Sequence, residues 1–168
     1  MRLAAIVRTI SDSDRFDHGG LFRGGGFIIG SGLLAECSMK FAIAVFSAAH
    51  APSSRRALLF AQAALAGGHE IVRLFFYQDG VYSAANNIVA PQDEQDIARK
   101  WREFVSLHQL DGVVCIAAAL RRGVLNTEEA TRYQRSAVNL DAPWALSGLG
   151  QLHDAIQAAD RLICFGGP

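Results

Sequence analysis

The sequence predicts an α/β domain: a parallel sheet of about five strands with helices on both faces. Two observations carry this. From Lys40 onward, short apolar runs alternate with segments of helical period, the pattern of right-handed strand–helix–strand units. The runs are continuously apolar, as in strands covered on both sides.

The elements follow in order. "KFAIAVF" (40–46) is the first strand. After "SAAHAPSS" a helix covers about 54–66, with Ser53 or Ser54 as its cap and Gly67-Gly68 as its stop. "EIVRLFFY" (70–77) is the second strand, and 78–92, rich in Gly, Asn and Pro, reads as a long loop. A second helix runs from about Asp93 to His108. Its apolar stripe is Ile97, Trp101, Phe104, Val105 and His108, and Asp93, Glu94 and Asp96 crowd its first turn. "GVVCI" (112–116) is the third strand. Another helix covers Thr127–Arg135, capped by Thr127. "WALSG" (144–148) is a short strand or turn. The last helix, 149–160, presents Leu149, Leu152, Ile156 and Ala159, and "RLICF" (161–165) closes the sheet.

The 168 residues suit one substantial core. Residues 1–38 stand apart. They hold seven of the sixteen glycines and mix charges without period. They read as a disordered or non-native extension, with Met39 as the natural start and 39–168 as a single domain. Lys+Arg and Asp+Glu both total 16, so net charge is zero. That weighs against affinity built on neutralising many phosphates. No apolar run approaches the roughly 18 residues of a membrane span. Cys37, Cys115 and Cys164 are widely spaced, which suggests reduced thiols in a cytoplasmic protein. His18, His50, His69, His108 and His153 are scattered and form no metal-ligand spacing.

The informative stretch is "DGVVCIAAALRRG", Asp111 to Gly123. Spacing alone favours a buried Cys115, because free Cys is among the most buried residue types. Three features point the other way. Cys115 lies at the carboxyl end of its strand, where parallel sheets gather reactive groups. Small alanines follow it. Arg121 and Arg122 could lower its pKa, although an exposed solvated pair is the usual fate of Arg-Arg. Cys164 reads as core, and Cys37 carries no weight. Ser53, Ser54, Arg55 and Arg56 could receive an anion at a helix start, but no GxGxxG or GxxxxGK[ST] occurs, so a nucleotide or flavin site is a weak reading. "FFYQDGVY" (75–82) reads as a junction that packs its rings into core.

"FFYQDGVY", "CIAAALRRGV" and "LSGLG", in that order, resemble the DsrE/TusD family of sulfurtransferase subunits over about 39–165. The resemblance implies a flavodoxin-like fold without flavin or other cofactor, and without metal. It implies that Cys115 carries sulfur as a persulfide; Arg121 and Arg122, a few residues on, would then support the thiolate or dock a partner. It also implies a heterohexamer with TusB-like and TusC-like subunits, a TusA-like donor and a TusE-like acceptor, on the route to 2-thiouridine at the tRNA wobble position. Thiol exchange of this kind needs one accessible cysteine and no metal. Neutral charge suits a protein that meets proteins and does not itself bind nucleic acid. Two alternatives stay open: a DsrE-type carrier in sulfur oxidation, and a scaffolding subunit in which Cys115 is inert.

Overall fold

A computed structural model describes residues 38–166. The expectation for residues 1–38 lies outside them, apart from Ser38, whose hydroxyl donates to the Gly68 carbonyl at 3.0 Å. The strands are β1 (Lys40–Val45), β2 (Glu70–Phe76), β3 (Gly112–Cys115), β4 (Trp144–Ser147) and β5 (Arg161–Phe165). The helices are α1 (Pro52–Ala66), α2 (Ile97–Leu107), α3 (Ile116–Arg121), α4 (Thr127–Arg132) and α5 (Gly150–Ala158). Every strand pairing is parallel, in the order β4-β3-β2-β1-β5. The expected five-stranded α/β architecture is present, with a strand order different from the 2-1-3-4-5 of flavodoxin itself.

The crossovers from β1 to β4 step one way across the sheet, and the β4–β5 connection reverses it. Right-handed crossovers therefore set α5 on the face opposite α1. Side chains agree. The Phe41 ring meets Phe60 of α1 edge-on at 5.4 Å. Ala42 points the other way, and its register partner Arg73 donates to the Gln151 carbonyl of α5 at 2.6 Å. β1 is central, and its run from Phe41 to Val45 is buried throughout.

Helix α1 buries Ala57, Ala61 and Ala64, small side chains that let it lie close to the sheet. Pro52 opens it, where a missing N–H costs nothing. The expected caps Ser53 and Ser54 instead lie inside the helix, and Ala51 takes the cap position without a side-chain bond. Helix α2 buries Ile97, Trp101, Phe104 and Val105 as its period predicts. Its cap is Asp96, which accepts from the Arg99 amide at 2.9 Å. Asp93 and Glu94 consequently precede the helix instead of crowding its first turn. His108 stands exposed at its C-terminal cap. Helix α4 is capped by Asn126, not Thr127, and ends at Arg132. In both helices an Asx side chain one position before the helix takes the orphan amide.

Two further expectations change. Residues Gln78–Ala84 wind into a 3-10 segment and bury Val81, Ser83 and Ala84, so the first half of the expected loop is core. β5 is an edge strand with Leu162 and Cys164 exposed, whereas the sequence read it as core. α5 packs on β1 and β2 and does not cover it. Of the apolar positions along α5, Ala155 is buried while Leu149 and Ile156 stay exposed.

Candidate functional site around Cys115

β3 is four residues long and buried throughout. Gly112 makes this possible beside β4. A Cβ there would lie 2.9 Å from the Trp144 ring, which packs on Phe76 at 5.0 Å. Cys115 ends the strand opposite Ser147 and is at once the N-terminal cap residue of α3. The expected fifth strand residue, Ile116, is already helical. The thiol thus stands at the carboxyl edge of the sheet, as the sequence predicts. It is nevertheless 1% exposed, so it is enclosed and not held out. The small Ala118 and Ala119 that follow it are buried within the same core as Cys115, Val81 and Ala84.

The two arginines diverge. Arg121 is exposed and borders a surface cavity of about 520 Å³ shared with Leu120, Tyr133 and Arg135. Arg122 is committed to the 3-10 segment. Its Nε donates to Asp79 Oδ1 at 2.9 Å, and its Nη2 lies 2.8 Å from the same oxygen. Its Nη1 also reaches the Ala118 carbonyl, at 3.4 Å. Sequence reading missed Asp79, placing it in the long loop 78–92. Forty-three residues separate the pair, and no local period announces it.

Of the other candidates, Arg55 and Arg56 are exposed, while the serines and aromatics are occupied internally. Ser53 donates to the Ser47 hydroxyl at 2.6 Å. Ser54 is buried and accepts the Trp101 indole N–H at 3.1 Å. Phe75 and Phe76 are core, and Tyr77 packs edge-on against Phe46 at 5.8 Å. Partial desolvation pushes the thiol of the otherwise exposed Cys164 above its ordinary pKa, which favours the less reactive protonated form. Glu129 is a buried carboxylate that the sequence did not flag. Arg132 holds its Oε1 at 3.0 Å, and its Oε2 has no partner among the described residues. No group of three His, Cys, Asp or Glu gathers among the described residues.

Residues 39–165 match the DsrE/DsrF-like family. The chain belongs to that family. This DsrE/DsrF-like chain is 70% identical over 129 residues to a Pseudomonas aeruginosa protein named sulfurtransferase TusD homolog, an alignment covering 77% of the chain and 98% of the relative. It is 44% identical over 129 residues to an Allochromatium vinosum protein named for the sulfurtransferase DsrE, covering 76% and 99%. The crystal structure of YchN from E. coli shares the DsrE/DsrF-like chain's fold, with a TM-score of 0.59 at 18% identity, over 76% of this chain and 99% of that one.

Proposed function

We propose that the protein is a sulfurtransferase in which Cys115 accepts sulfane sulfur and hands it to a cysteine of a partner protein. The carrying observation is the place of Cys115 at the β3–α3 junction, within a domain that aligns over nearly its whole length with relatives named as sulfurtransferases. The exchange balances without an oxidant. The Cys115 thiolate attacks the terminal sulfur of a donor persulfide, R–S–SH. The donor's S–S bond breaks, R–S⁻ departs, and Cys115–S–SH forms. A partner thiolate then attacks that terminal sulfur and releases Cys115 as thiolate.

The setting proposed for this relay is the TusD one: TusB-like and TusC-like subunits in a heterohexamer, a TusA-like donor, a TusE-like acceptor, and the pathway to tRNA wobble 2-thiouridine in the cytoplasm. Higher identity to the TusD homolog than to the DsrE relative supports it. Exposed Leu149, Ile156 and Leu162 on α5 and β5 suit a subunit that buries this face in an assembly. Arg121, exposed on the helix that Cys115 caps, suits partner docking. The DsrE relative favours a second reading, the same chemistry run in sulfur oxidation.

The test is intact mass after incubation with a persulfide donor. Wild type and Cys164→Ser should each gain one sulfur atom that reductant removes, and Cys115→Ser should gain none. A folded Cys115→Ser protein that loads normally would overturn the assignment.

A further inference from the structure

A thiol that exchanges sulfur with a partner has to be reached, and Cys115 is enclosed. α3 begins at the next residue, and the 3-10 segment Gln78–Ala84 packs against both β3 and α3. That segment is anchored at its first turn. Tyr77 donates to the Val45 carbonyl at 2.9 Å and Gly80 to the Phe46 carbonyl at 3.0 Å. Gly80 lies so close to β1 that a Cβ there would collide with the Val45 carbonyl. α3 is six residues long, buries Ala118 and Ala119, and leads into Gly123, whose φ is +69° and around which a Cβ would meet nothing within 4 Å.

Arg122, the C-terminal cap residue of α3, fastens this short helix to Asp79 of the anchored segment. Two features weaken the closed packing. Ser83 carries a buried hydroxyl without a partner among the described residues, and Gln78 holds a φ of +47°, unusual for a residue with a side chain.

We propose that the Asp79–Arg122 pair is a clasp that holds α3 against the anchored 3-10 segment, and that its release uncovers the Cys115 thiol. Asp79 is then a positioning residue for the sulfur exchange. Its meaning for function rests on the reading above, whereas thiol exposure can be measured without it. The pair is half in solvent, with side-chain exposures of 59% for Asp79 and 26% for Arg122, so it can open and close readily.

The experiment is timed iodoacetamide labelling of the native full chain, read by peptide mass at Cys115, with Cys164 in the same digest as reference. Asp79→Asn should label Cys115 about two- to fivefold faster than wild type at low salt, the range expected for losing an exposed ion pair. Salt near 1 M should speed the wild type toward the variant and leave the variant unchanged, because it screens the pair. Combining Asp79→Arg with Arg122→Asp should restore slow labelling. The Cys164 rate should not move. Equal Cys115 rates in wild type and Asp79→Asn would overturn the clasp, as would a charge-swapped protein as fast as Asp79→Asn. Should labelling follow the expected pattern while Cys115 takes up no sulfur, the clasp stands and the sulfur-relay reading falls.

Discussion

Ser54 is wholly buried in α1, where its hydroxyl accepts the indole N–H of Trp101, itself fully buried in α2. The bond joins two helices through the core, and its removal strands a donor away from water. Ser54→Ala should cost about 1–3 kcal/mol, the range for a buried group left unsatisfied, read as a shift in urea midpoint at unchanged slope. Little of this was visible in sequence. Ser54 looked like a cap because it stands near a helix start, and its partner lies 47 residues on. The pairing of Arg122 with Asp79 escaped notice for the same reason. Cys115 was legible as a candidate because its neighbours along the chain carry the signal. Spacing also favoured its burial, but not what encloses it, because the 3-10 segment comes from a different part of the chain.

Arg102 ties α2 to the approach to β4. It donates to Asp141 Oδ1, to the Ala142 carbonyl at 2.8 Å and to the Ala84 carbonyl at 3.4 Å. The hydrogen bond from Arg102 holds the Asp141 carboxyl below its ordinary pKa. A carboxylate depressed in the folded state adds stability above its unfolded pKa, about 3.9, and loses it as pH falls through the lower folded value. Asp141 is exposed, so the contribution is under about 1 kcal/mol. Asp141→Asn should therefore lower the thermal midpoint slightly at pH 7, and the gap should close below about pH 3.9. A gap that persisted there would mean that the carboxylate's charge is not what stabilises the junction. Elements with a strong period were legible: β1, β2 and α1 lie within two residues of their expected bounds. Caps were less so, because Asn126 and Asp96 compete with neighbouring Thr127, Asp93 and Glu94, and geometry selects among them. The 3-10 segment has neither helical nor strand period, so it passed for loop.

At the scale of the molecule, alternation predicted the layers but not which strands lie at the edges. The sequence of β5 is as apolar as that of a central strand, and only the reversal after β4 leaves it at the margin. We propose that residues 39–166 carry both fold and site, as the family match over 39–165 suggests. Removing residues 1–38 should leave the thermal midpoint and sulfur loading unchanged, and a large drop in midpoint would show that the segment packs on the domain. The central claim is that the enclosed thiol, not the exposed one, carries sulfur. Its most direct test is to load the wild-type chain from a persulfide donor, trap every thiol and persulfide by alkylation, and map the extra sulfur by peptide mass. The extra sulfur should lie on the peptide containing Cys115, with Cys164 carrying none. Sulfur found on Cys164 alone would contradict it.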